Sequence, residues 1–92
     1  MSKKKGTRAE HKTMRWLEAR GYVCTRAAAS LGVWDVIAVG PEDVRLIQVK
    51  SGQARAGRVE KAAMEAFACP RCCSKELWTW ADYAREPEVK RV

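Results

Sequence analysis

The sequence predicts an α/β domain: a mixed β-sheet flanked by helices, with elements in the order αβββαββ. Three observations predict it. A helical apolar stripe opens the chain. Two short apolar runs then meet across the turn Gly40-Pro-Glu-Asp43. A second helical stripe is followed by an alternating aromatic run. At 92 residues, of which 47% are apolar, the chain can bury one modest core and no more.

The elements follow in order. Residues 1–6 read as a flexible basic tail, and residues 7–92 as the single folded domain. Thr7-Arg-Ala-Glu10 has the form of a capping box, so the first helix is expected to start at Thr7. Gly21 supplies its end. Glu10, Met14 and Leu17 share one face, with Arg8, Lys12 and Arg15 opposite. Tyr22 to Arg26 reads as a first strand and Ala27 to Gly32 as a small-residue turn. Val33 to Val39 and Val44 to Lys50 read as two further strands, joined as an antiparallel hairpin. Ser51 to Gly57 is a basic loop. A second helix is expected over about Arg58 to Ala68, with Val59, Ala63, Ala66 and Phe67 inward and Pro70 as its stop. Glu76 to Tyr83 reads as a strand with Trp78 and Trp80 on one face, and Glu88 to Val92 as a short last strand.

The net charge of +7 favours a polyanionic partner. No apolar run nears the roughly 18 to 20 residues that span a bilayer, which argues against a membrane protein. No apolar stretch follows the N-terminal lysines, so they do not form a secretory signal. A cytoplasmic location is expected, with its four cysteines reduced.

Burying charge in a strand is costly without partners, so polar residues inside the hairpin call for a reason. Gln48 and Lys50 lie two apart and share a face, about 7 Å from one another along the strand. Asp35 shares a face with Val33 and Ile37 and can meet them from the neighbouring strand. A carboxylate and a neutral carbonyl oxygen suit Mg²⁺, which keeps several waters and takes few carboxylates. Lys50 beside such an ion could orient or activate water, or neutralise developing charge on phosphorus. Glu10 either completes the capping box with Thr7 or reaches the same site as a further acid. Taken singly, Asp35 reads as an edge residue and Gln48 and Lys50 as a solvated face; their joint order favours a nuclease metal site.

The residues Gly6-Thr-Arg-Ala-Glu10, Leu17-Glu-Ala-Arg-Gly21-Tyr, Arg26-Ala-Ala-Ala-Ser30, Asp35-Val-Ile-Ala and Leu46-Ile-Gln48-Val-Lys50-Ser carry a resemblance. They resemble the PD-(D/E)XK nuclease superfamily, and within it the archaeal-type and viral Holliday junction resolvases. That resemblance implies a restriction-endonuclease-like fold and a homodimer, from a phage or a cell. It also implies Mg²⁺- or Mn²⁺-dependent cleavage of four-way DNA junctions, with no small-molecule cofactor. By position, Asp35 becomes a metal ligand with the Val49 carbonyl, Glu10 the acid of the first helix, and Lys50 the catalytic lysine. Ser30 and Arg26 become phosphate-side residues. Gln48 stands where most members carry an acid, a trait similar to VRR-type nucleases, which act on flaps and other branched DNA. A non-catalytic DNA-binding module with a decayed site is the alternative from another class. For a viral member the location would be the host cytoplasm.

Lys3, Lys4, Lys5 and Arg8 on one side, and Ser51, Arg55, Arg58 and Lys61 on the other, suit DNA phosphate contacts or a solvated surface. Cys69, Cys72 and Cys73 form half of a zinc site at most, so structural Zn²⁺ is not expected. Trp78, Trp80 and Tyr83 form an aromatic face for a dimer contact, for the core or, third, for stacking on bases.

Overall fold

The computed structural model describes residues 2–27 and 32–92, with the backbone alone for residues 2–6. The elements are α1 (Ser2–Glu18), β1 (Val23–Arg26), β2 (Val36–Val39), β3 (Val44–Ser51), α2 (Arg58–Ala66), β4 (Cys73–Trp80) and β5 (Glu88–Arg91). The expected order αβββαββ is the one found.

Five strands form one mixed sheet in the order β1-β2-β3-β4-β5. Three neighbouring pairs are antiparallel, and β3 and β4 run parallel. A parallel pair needs a crossover, and α2 lies in that connection. β3 is central and apolar on both faces, as its sequence Leu46-Ile-Gln-Val49 requires. On one face α1 covers Val36, Ala38, Ile47, Val49, Trp78 and Trp80 with Ala9 and Leu17. On the other, Met64 of α2 joins Trp34, Leu46 and Ala56. Among the described residues no helix is long and apolar enough to cross a membrane.

α1 ends as Gly21 demands. Gly21 has φ +92°, and the amides of Gly21 and Tyr22 bond back to the carbonyls of Glu18 and Leu17. This is the Schellman pattern, in which a residue without Cβ takes the left-handed position.

Four expectations need correction. α1 begins at Ser2, not Thr7, and takes in the stretch read as a tail. Lysine is a good helix former, and one glycine costs only about 1 kcal/mol inside a helix, so Gly6 does not stop it. Thr7 is therefore an interior residue, and Glu10 is engaged elsewhere. β2 begins at Val36, not Val33, because the Val49 amide is taken by the Asp35 side chain instead of by a backbone carbonyl. α2 ends at Ala66, and its inward residue is Met64, 1% exposed, whereas Val59 is 82% exposed. β4 runs from Cys73 to Trp80, not from Glu76 to Tyr83, so Tyr83 falls outside it, while Trp78 and Trp80, 1% and 5% exposed, take the core reading of the aromatic face. Their polar ends are satisfied: Trp80 donates to Thr13 Oγ1 at 2.8 Å, and Trp78 to Glu76 at 2.8 Å.

Candidate nuclease site

The site is built where β2 starts beside the C-terminal half of β3. Asp35 is held at three points. Its amide donates to the Ile47 carbonyl at 2.8 Å, and its carbonyl accepts from Ala27 at 2.8 Å. Its Oδ2 accepts the Val49 amide at 2.8 Å. The carboxylate thus takes the place of a ladder acceptor, and regular pairing of the strand starts only at Val36. In a strand, the amide and carbonyl of one residue point to the same edge. The Val49 carbonyl therefore faces the edge at which Asp35 sits.

Gln48 is 4% exposed, and its Nε2 donates to the Val33 carbonyl in the loop just before Asp35. That bond leaves Oε1 as the acceptor end of the amide. Lys50, one step along the same face, meets Glu60 of α2, with Nζ to Oε2 at 3.0 Å. From the α1 side, Glu10 pairs with Arg26 of β1, Oε1 to Nε at 2.9 Å.

Charge ties these groups together. Burial pushes the Asp35 carboxyl up, and the Val49 amide offsets part of that. Glu10 and Glu60 then repel it and Lys50 attracts it, leaving it above the ordinary carboxylate range. An acid burdened by two others is relieved by a cation. Among the described residues, no three His, Cys, Asp or Glu side chains converge on a single metal position. The candidate oxygen donors are those of Asp35, Gln48 and the Val49 carbonyl, with the Glu10 and Glu60 carboxylates close enough to act on Asp35 by charge. These are hard donors, the kind Mg²⁺ and Mn²⁺ take.

The other expected residues scatter. Ser30 and the side chains of Lys3, Lys4 and Lys5 lie outside the described residues. Arg8 is exposed on α1 and shares a cleft with Lys12 and with Ser51, the residue after Lys50. Arg55, Arg58 and Lys61 are exposed on the segment that leads into α2 and on its first turns. Cys69 and Cys73 lie together at the far end of α2, where burial and then the neighbouring Cys69 push the Cys73 thiol up to about 11.

Glu60 is the residue that sequence reasoning missed. Its Oε1 accepts the Gly57 amide at 3.1 Å, while its other oxygen holds Lys50. Partial burial pushes its carboxyl up, but Gly57 and Lys50 outweigh this and hold it below the ordinary range. The signal was there: an acid three residues after Gly57, alone in a basic segment, at the position from which a glutamate reaches back to the N-cap amide. Glu60→Ala is expected to cost about 1 kcal/mol of stability, while Glu60→Gln keeps the cap and stays near wild type. Urea unfolding midpoints of the two variants check this.

A five-stranded mixed sheet with two helices fits the restriction-endonuclease-like fold, with Asp35, Gln48 and Lys50 as its candidate site residues. Within that fold class, the family model for the archaeal Holliday junction resolvase (hjc) matches residues 1–69, and the chain belongs to that family. The matched stretch runs from α1 through α2; β4 and β5 follow it. No curated protein and no solved structure matches the chain.

Proposed function

We propose that this protein is a divalent-metal-dependent endonuclease that resolves four-way DNA junctions as a homodimer. The observation that carries the reading is the shared face of Asp35, Gln48 and Lys50, with acids Glu10 and Glu60 flanking it. Asp35, Gln48 and the Val49 carbonyl would hold the cation, with Glu10 supporting it. When bound, that ion supplies positive charge at the phosphate and lowers the pKa of water.

The chain's own groups do the rest. Glu60 fixes the ammonium of Lys50 at the mouth of the site, where it neutralises charge that builds on the phosphate oxygens. Arg26, steadied by its ion pair with Glu10, suits a second phosphate contact. Water attacks phosphorus in line; its P–O bond forms as the bond to the leaving oxygen breaks, the water gives up a proton to solvent, and the leaving oxygen takes one up from solvent to become a hydroxyl. Arg8, Arg55, Arg58 and Lys61 present exposed charge for backbone phosphates. Gln48 contributes a neutral oxygen where an acid would add a charge, and Glu60 places a carboxylate on the far side of Lys50. That neighbouring charge supports a working site rather than a decayed one.

The test is cleavage of a synthetic four-way junction beside linear duplex of the same arms, with Mg²⁺, Mn²⁺ or EDTA. Paired nicks in the junction alone, abolished by EDTA, are expected. Cleavage of flaps or duplex instead would keep the nuclease and change its substrate. Tight junction binding with no cleavage in either metal would make the chain a DNA-binding module.

A further inference from the structure

Tyr83 has no explanation inside the fold. It follows β4 in a turn closed by the Ala84 amide on the Ala81 carbonyl at 3.1 Å. Its φ is +63°, and among the described residues it is the one non-glycine residue at positive φ. That conformation costs a side-chain-bearing residue roughly 1–2 kcal/mol. Burial could offset the cost, yet Tyr83 is 101% exposed. For folding alone, glycine would be the better residue here. A strained aromatic that buries nothing points to a role outside the fold.

Its surroundings say which. Tyr83 stands at the rim of a cleft of about 400 Å³ lined by Arg8, Lys12, Ser51, Trp80 and Asp82. The Lys12 ammonium lies 5.2 Å from the centre of the Trp80 ring and fixes charge at the cleft wall. Ser51 adjoins Lys50, and the Gly52 amide bonds to the Trp80 carbonyl at 2.8 Å, so the tyrosine turn is tied to the end of the candidate site. Two cations suit a phosphate backbone. An aromatic ring held clear of the protein surface suits the face of a base.

We propose that Tyr83 stacks on an unstacked base of branched DNA held in this cleft, and so contributes to the choice of junction over duplex. Fully paired duplex hides its base faces; the crossing point of a junction is where they can open. The inference rests on the nuclease reading for its substrate, but its test is binding and needs no cleavage.

The experiment compares wild type, Tyr83→Phe and Tyr83→Gly on a four-way junction carrying 2-aminopurine at the branch point, and on linear duplex, at one fixed salt concentration. Wild type and Tyr83→Phe are expected to bind the junction alike and to change the 2-aminopurine fluorescence. Tyr83→Gly should bind the junction about ten-fold more weakly and leave that fluorescence unchanged. Its duplex binding should equal wild type, and its melting temperature should equal or exceed wild type. Junction affinity and fluorescence unchanged in Tyr83→Gly would overturn the proposal. So would an equal loss on duplex, a lower melting temperature, or a wild type without junction preference. Cleavage is scored separately: a junction bound with the tyrosine signal but never cut removes the nuclease reading and leaves the stacking role standing.

Discussion

Lys50→Ala and Asp35→Asn are expected to lower junction cleavage by about a hundred-fold or more, the usual scale for losing one preorganised charge at a reacting centre. Junction binding should stay near wild type, because the exposed arginines and lysines proposed to meet the DNA backbone are untouched. The variants are chosen to keep the fold. Asparagine retains an oxygen for the Val49 amide, so the start of β2 persists. Alanine at 50 leaves Glu60 on a partly exposed helix end, where water can solvate it. Asp35→Asn carries a second expectation, from the sign of its pKa shift. A carboxyl raised in the folded state adds stability that is fully present below its unfolded pKa and is lost as pH rises through the folded value. At neutral pH the ionised carboxylate is therefore a net strain, and asparagine removes it. The variant should melt at or above the wild-type temperature while losing activity. Full cleavage by both variants would sink the mechanism; a melting temperature well below wild type would sink the account of Asp35.

Glu76→Ala is expected to cost about 3–5 kcal/mol, the scale for removing one partner of a buried ion pair. Glu76 is 1% exposed. It accepts from Arg45 Nη2 at 2.8 Å and Nε at 3.0 Å, from Ser74 at 2.6 Å and from Trp78 Nε1 at 2.8 Å. Truncation strands the Arg45 guanidinium between the Tyr22 and Trp78 rings. At about 4–8 °C per kcal/mol for a domain of this size, the melting temperature should fall by roughly 15 °C or more. The double variant Arg45→Met/Glu76→Leu removes both charges and should recover most of that loss. The pH sign is opposite to that of Asp35. Burial pushes the Glu76 carboxyl up, but Arg45, Ser74 and Trp78 together hold it below its ordinary range. Its contribution is present above the unfolded carboxylate pKa and is lost as pH falls through the folded value. Wild type should therefore lose stability in acid more steeply than the double variant, as thermal melts across that range would show.

The sequence made the sheet and the site face readable for one physical reason: strand and helix periods leave their mark on apolar spacing. The hairpin around Gly40-Pro-Glu-Asp43, the Gly21 stop and the shared face of Gln48 and Lys50 all follow from it. What was misread lay where two local signals competed or where a tertiary contact decided. Thr7-x-x-Glu10 looks like a helix start, yet the lysines before it continue the helix, and Arg26 from another element claims Glu10. Val33 to Asp35 has a strand composition, but the Asp35 side chain replaces the backbone as acceptor. Val59 and Met64 are both apolar, and only the docking of α2 selects Met64. Glu60 escaped notice because its partner, Lys50, lies ten residues back and on another element.

The parallel pairing of β3 with β4 bears on how the chain reaches its fold. Everything through β3 can assemble from contacts between near neighbours in sequence. Until β4 arrives, the strand carrying Ile47, Gln48, Val49 and Lys50 is an uncovered edge, apolar on both faces, with free backbone groups along one side. The missing strand lies across α2, so its docking must close a loop of some twenty residues, with a matching entropic delay. During that interval the residues of the candidate site are also the segment most open to pairing with a second chain. Refolding yield should accordingly fall with protein concentration. Charged β5, with Glu88, Lys90 and Arg91 at the outer edge, then closes the sheet against the same hazard.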